Sequence, residues 1–329
     1  MNISTSFAIE THELSKTYKN IQALRSLNLK VQQNSIFGFL GPNGAGKTTT
    51  IKLLLGLTRP TAGGGTIYGH DIVLDSLQVR QKIGYLAQNP RFYEHMTARE
   101  MLRFRARFFY RGPSVEIEQR IEETLELVGL EDKADRPIHS FSGGELQRLG
   151  IGLAQINYPE LLILDEPAAS LDPQGRRDVL EVMARLRKHA TIFYCTHILD
   201  DVQQVSDTVA ILNQGELVAQ APLQELLTGS EGTIYKIVVE GDASATQARL
   251  ASLPWVSGIK AIPLGSQTTW QVSVTDEAAA KSDLLKLLVC DEQVNVIEFG
   301  RMKHELEDVF LSIIEGGREV KRSNTPTGG

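Results

Sequence analysis

The sequence predicts an α/β protein carrying a second, smaller α+β domain, and three observations lead to that reading. Over the first two thirds, short apolar runs alternate with helical patterns, which is the grammar of strand-helix units around a largely parallel sheet. Two helical patterns in succession interrupt that alternation, so a helical insertion is expected. Around residues 222 to 232 the pattern changes, and the order that follows, β-α-β-β-α-β, is the ferredoxin-like arrangement.

The segments SIFGFL (35–40), LLILDE (161–166), TIFYCT (191–196) and TVAILN (208–213) read as strands, and their near-continuous apolar character suits strands covered on both faces. The inserted helices span about 98–111 and 115–129, between Gln88 and a Gly-rich turn at 142–144. The expected domains are 1–228 and 233–316, followed by a tail over 317–329 that is nearly devoid of apolar residues and reads as disordered. In the second domain TIYKIVVEG, VSGIKAIPL, TTWQVSVTD and VNVIEFG read as strands. ASATQARLASL, EAAAKSDLLKLLV and LEDVFLSIIEG read as helices. Trp270, Val272 and Val274 alternate with Gln271, Ser273 and Thr275, which predicts one buried face and one wet face.

Composition narrows the function. The 329 residues, 42% hydrophobic and 22% charged, suit about two ordinary globular domains. No run of about 18 apolar residues is present, so no membrane span is expected, and the first residues lack the pattern of a secretory signal. Two cysteines, Cys195 and Cys290, cannot make a disulfide framework, and a reducing cytosol fits. A net charge of -6 argues against a nucleic-acid-gripping protein, and no nucleic-acid partner is expected. One basic cluster stands out: Arg99, Arg103, Arg105, Arg107 and Arg111. It is either a solvated helix face interleaved with buried Phe104, Phe108 and Phe109 or a partner surface, with Arg103 and Arg107 sharing one face.

Chemistry enters at residues 41–48, GPNGAGKT, a match to G-x-x-x-x-G-K-[ST] that follows an apolar strand and opens a helical run. Gly41, Gly44 and Gly46 are expected to take positive φ and bring loop amides to phosphate oxygens, at the positive end of the following helix. The expected nucleotide-binding segment is Gly41, Pro42, Asn43, Gly44, Ala45, Gly46, Lys47, Thr48 and Thr49. Lys47 can reach the β- and γ-phosphates and Thr48 a magnesium ion. LLILDEP ends an apolar strand in two adjacent carboxylates, which are costly together unless they face a cation. Asp165 is placed to hold magnesium and Glu166 to polarise an attacking water. His197, just after another apolar strand, can approach the γ-phosphate.

FSGGELQR at 141–148, lying between those two motifs, resembles the signature sequence of ATP-binding cassette (ABC) ATPases, and the resemblance extends over about residues 7–230. It implies a P-loop ABC ATPase domain using ATP and Mg2+. Within it Tyr18 resembles the aromatic that stacks on adenine, and Gln88 the lid glutamine that touches the metal and couples the nucleotide to a transmembrane partner. Ser170, Leu171 and Asp172 resemble the loop after the magnesium strand. Ser142, Gly143 and Gly144 carry the signature's phosphate contact, while Phe141 and Glu145 stand where the family more often has Leu and Gln. Because the family sets this signature against the γ-phosphate of the opposite subunit, a homodimer, or a heterodimer with a related ATPase, is implied.

The interval from Lys47 to Ser142 is too short for the coiled coil of chromosome-repair ATPases. LEDVFLSIIEG at 306–316 resembles the ending of ATPase subunits in the drug-resistance and polysaccharide-export branch, whose permease is a separate polypeptide. An export subunit on the cytoplasmic face of the membrane is therefore expected. The alternative is a soluble, non-transport cassette ATPase acting on nucleic acid or ribosomes.

Overall fold

The computed structural model describes residues 7–228, 233–241, 243–289 and 294–301, together with Leu306, Glu307 and Phe310. The helix expected over 306–316 otherwise lies outside the described residues, as does the tail. The chain divides into two compact units, one running to Leu223 and the other beginning at Gln224.

The first unit is built on a six-stranded sheet in the order Glu216–Pro222, Thr208–Asn213, Ile36–Leu40, Thr191–Thr196, Leu161–Asp165, Ile83–Leu86. Every pairing is parallel except that of the edge strand Glu216–Pro222. The three central strands are buried along their whole length, as their apolar runs require. Phe193 packs between Phe37 and Phe39, with ring centroids at 5.7 and 5.3 Å, and fixes one face of the core.

A second sheet was not legible as one. Phe7–Tyr18, Ile21–Leu27, Lys30–Gln32, Ala62–Ile67 and His70–Asp71 form an antiparallel five-stranded sheet, so the unit is not organised by its parallel sheet alone. Two features hide it in the sequence. Phe7–Tyr18 pairs through several register shifts that break the period-two alternation, and AGGGTI at 62–67 reads as a loop.

The helical insertion comprises Ala98–Ala106 and Ser114–Val128. A capping box of Thr97 and Glu100 starts the first helix, which stops five residues before the expected 111. Its arginines are largely spent inside the block. Arg99 contacts Glu122 and Asp135, and Arg103 donates to Glu118 at 2.7 Å. Phe104, Phe108 and Phe109, expected to be buried, are instead 40%, 67% and 43% exposed. The helix buries Ala98, Leu102 and Ala106, a narrow stripe of small residues and one leucine that leaves the neighbouring aromatics outside.

Strand Ile83–Leu86 carries the chain toward Gln88 and lies against the end of helix Gly143–Gln155. A Cβ at Gly84 would meet the Ala154 carbonyl oxygen at 2.1 Å, so only glycine allows this approach. Gly84→Ala should destabilise the first unit by about 1–3 kcal/mol, measured as a shift in the urea midpoint.

The second unit is a four-stranded antiparallel sheet in the order Val256–Leu264, Gln267–Val274, Thr233–Gly241, Val294–Arg301, with helices Ser244–Ala251 and Glu277–Val289. The strand order is that of a split β-α-β ferredoxin-like arrangement. Trp270, Val272 and Val274 point into its core with Ile237, Leu250 and Leu284, while Gln271 and Ser273 are only partly covered.

Candidate active site

The site forms where parallel strands end. Strand Ile36–Leu40 runs into a loop that closes on itself, Ala45 N–H donating to the Pro42 carbonyl at 3.1 Å, and then starts helix Lys47–Leu54. Gly44 and Gly46 have φ of 82° and 113°, a region open to glycine. Gly41 does not share it. Its lack of a side chain serves space, since a Cβ there would lie 2.4 Å from the Leu212 carbonyl oxygen; one at Gly46 would lie 2.7 Å from that of Ala23. The loop is thus held against two neighbouring strands by backbone.

Lys47 is buried. Its ammonium donates to the Gly41 carbonyl at 2.6 Å and stands 3.3 Å from Glu166 Oε1. Strand Leu161–Asp165 ends in Asp165, 3% exposed, and the chain then turns through Glu166 at φ 51°, an uncommon conformation for a non-glycine residue. The Glu166 amide donates to the Cys195 carbonyl at 2.9 Å, so the turn is tied to strand Thr191–Thr196. That same strand delivers His197, whose Nδ1 lies 2.9 Å from Glu166 Oε2. Glu166 therefore has a cation on one oxygen and an imidazole on the other. Burial, and then the neighbouring Glu166 charge, raises the pKa of Asp165 above its ordinary value, with Lys47 and Lys52 pulling it back. Burial also pushes the Cys195 thiol up, which keeps it an uncharged packing residue.

A cleft of about 170 Å³ is lined by Pro42, Asn43, Gly44, Ala45, Gly46, Lys47, Thr48 and Thr49, with Gln88, Asp165 and Glu166 opposite. Loop amides, a helix N-terminus and one lysine supply positive potential around it, while two carboxylates line it as well and His197 touches one of them, Glu166. Such an arrangement suits phosphoryl transfer from a polyphosphate to water.

The remaining expected residues stand elsewhere. Ser142 caps helix Gly143–Gln155: its hydroxyl accepts from the Glu145 amide at 3.3 Å, and Glu145 Oε2 accepts from the Ser142 amide at 2.8 Å. Glu145, where the family more often has Gln, is thus a capping-box partner. Its burial raises its pKa, but Lys133 and the Ser142 amide outweigh that and hold the carboxyl below the usual range. Asp172 caps helix Pro173–Leu186 through the Gly175 amide at 3.0 Å. The two helix starts touch backbone to backbone, because a Cβ on Gly144 would lie 2.9 Å from the Gly175 Cα. Ser142, Gly143, Gly144 and Asp172 form this separate edge and do not line the cleft.

A family model described as ABC transporter matches residues 24–169. The bacitracin transport ATP-binding protein BcrA of Bacillus licheniformis is 34% identical over 94% of this chain and 98% of its own. The chain belongs to the ABC transporter ATPases. The daunorubicin/doxorubicin resistance ATP-binding protein DrrA of Streptomyces peucetius is 31% identical, covering 95% of this chain and 94% of DrrA. Among solved structures, the cassette MJ0796 in a dimeric post-hydrolysis state with ADP and Pi superposes with a TM-score of 0.59 at 27% identity, over 66% of this chain and 99% of that one. As an ABC ATPase the chain binds and hydrolyses ATP, and proteins of this family dimerise and work with membrane permeases.

In this ABC ATPase residues 42–49 of the predicted loop, both carboxylates and Gln88 line one cleft, while His197 reaches it only through its contact with Glu166. Tyr18 is not among its lining residues. It ends strand Phe7–Tyr18, 42% exposed, paired with Ile21 and with the Lys16 ammonium 5.0 Å from its ring. Ala23, on the adjacent strand, does line the cleft, and nothing in an alanine marks it beforehand. A second depression, about 450 Å³, lies beyond Gln88, where Tyr85, Phe92, Tyr93, Phe104 and Phe108 surround Arg105. Phe104 meets Tyr93 and Phe108 edge-on, with centroids 5.8 and 5.3 Å apart.

Asp165 supplies a check on the electrostatics. A carboxyl whose folded pKa is raised makes the unfolded chain the weaker proton binder, so its contribution lowers stability as pH rises from the ordinary carboxylate value through the raised one. Asp165→Asn should raise the melting temperature of the nucleotide-free protein at neutral pH. The gain should shrink on acidification, as followed by circular dichroism.

Proposed function

We propose that this chain is the nucleotide-hydrolysing subunit of an exporter, docked at the cytoplasmic face of the membrane on a separate permease. The observation that carries the catalytic part is the convergence of Lys47 and His197 on the two oxygens of Glu166 beside the phosphate loop. In this reading Lys47 leaves Glu166 for the β- and γ-phosphates, freeing that carboxylate to take a proton from the attacking water. His197 then orients Glu166 and approaches the γ-phosphate. Tyr18 receives the adenine.

Magnesium fits the residues present, because Thr48, Gln88 and the buried Asp165 meet on one cleft and a cation there relieves the cost of the adjacent carboxylates. Bound, it would neutralise charge on the phosphate oxygens. Ser142, Gly143 and Gly144, placed on an edge away from the cleft, serve the ATP of the second subunit in a dimer of two copies, or of this chain with a related ATPase.

Export is supported by the resemblance of the C-terminal segment and by relatives named for bacitracin transport and drug resistance, both matched over nearly their full lengths. No helix among the described residues is long and apolar enough to cross a membrane, so the pathway belongs to the permease. Its docking segment is a short cytoplasmic helix seated in the aromatic depression beside Gln88. Arg103, held by Glu118, and Arg99, held by Glu122 and Asp135, are not available as a basic rim. Arg91 and Arg105 are cations that line this groove and suit an acidic residue on that helix.

Glu166→Gln should retain ATP binding while losing turnover by about a hundredfold or more. Lys47→Ala should weaken binding itself. In sedimentation with ATP, the Glu166→Gln chain should form a dimer that Ser142→Arg abolishes; association unchanged by Ser142→Arg would refute the shared site. Phe104→Ala with Phe108→Ala should keep the ATPase activity of the isolated chain but lower its recovery on permease-containing membranes.

A further inference from the structure

The short helix Leu199–Val205 follows His197 directly and begins without a side-chain cap, so its own start does not fix the direction of the histidine. A salt bridge anchors this helix. Arg176, on the first turn of helix Pro173–Leu186, donates through Nε to Asp201 Oδ1, and its Nη2 lies 3.7 Å from Asp200 Oδ2. Asp201 is 1% exposed. A carboxylate that deep is costly unless paired, and a well-packed apolar pair in its place would serve stability equally well. The ion pair also joins two segments that both reach the site. Arg176 N–H donates to the Asp172 carbonyl at 3.0 Å, on the loop that follows Glu166, while Asp201 lies four residues after His197. Burial above all raises the pKa of Asp201, and the Glu166 charge adds to that rise, so Asp201 stands within electrostatic reach of Glu166.

We propose that Arg176 and Asp201 are positioning residues for hydrolysis. Their ion pair is a strut that locks the loop ending at Asp172 to the His197 segment, so that seating of that loop sets the imidazole against Glu166. The strut touches no substrate atom. It acts by keeping His197 Nδ1 at the 2.9 Å contact with Glu166 Oε2, a geometry in which a displacement of about 1 Å is costly to rate. This rests on the reading of Glu166 and His197 as the hydrolytic pair.

The test uses the full chain. Removing one partner alone would strand a buried charge, so the main variant is Arg176→Met combined with Asp201→Leu, which keeps the volume apolar and packed. Its melting temperature and its KM for ATP should stay near wild type while kcat falls about tenfold or more. Arg176→Lys, which keeps the charge but loses the two-pronged reach toward Asp200 and Asp201, should lower kcat about threefold or more at unchanged KM; it decides the matter if the double variant does not fold. Wild-type kcat in a folded variant of either kind, or a rise in KM that accounts for the whole loss, overturns the strut. His197→Ala separates the two readings. Wild-type turnover there would remove the hydrolytic pair itself, whereas a strong loss there beside unimpaired strut variants would remove only the strut.

Discussion

Everything at this site depends on holding Lys47, Asp165 and Glu166 together where water scarcely reaches. Two carboxylates next to each other at a strand end repel, and burial penalises both, yet the fold gives them one ammonium within reach, 3.3 Å from Glu166. The lysine is held in turn by the carbonyl of Gly41, which exists in that position because the strand before it is clamped in the middle of the sheet. The site is therefore an internally compensated set of charges, with Lys47 shared between the Gly41 carbonyl and Glu166.

The groups stand on a well-packed scaffold. Three central strands with no exposed residue give the loop, the carboxylates and the histidine a common rigid base. The backbone turn at Glu166 is uncommon for a residue with a side chain, and the amide bonded to Cys195 holds it there. The carboxylate is thereby aimed before any ligand arrives.

The parallel core was legible because its strands are uninterrupted apolar runs, and the phosphate loop because glycine, lysine and threonine at fixed spacing have few structural alternatives. The ferredoxin-like unit was legible for the opposite reason, its strand at Gln267–Val274 alternating cleanly. What stayed hidden was set by contacts between distant segments. The antiparallel sheet depends on a bulged, polar strand and a Gly-rich one, neither of which carries a period. Exposure of Phe104 and Phe108 follows from how little of helix Ala98–Ala106 its neighbours cover. Ala23 reaches the cleft from strand Ile21–Leu27, and Arg176 meets Asp201 only through the fold.

The capping box at Ser142 has a consequence for what the signature edge can sense. One lone pair of the serine oxygen is taken by the Glu145 amide, and the Glu145 charge is drawn toward Lys133. The hydroxyl keeps its proton and its second lone pair, beside the amides of Gly143 and Gly144 at a helix start. The edge is thus rich in donors. A donor-rich helix start favours an approaching anion over a cation.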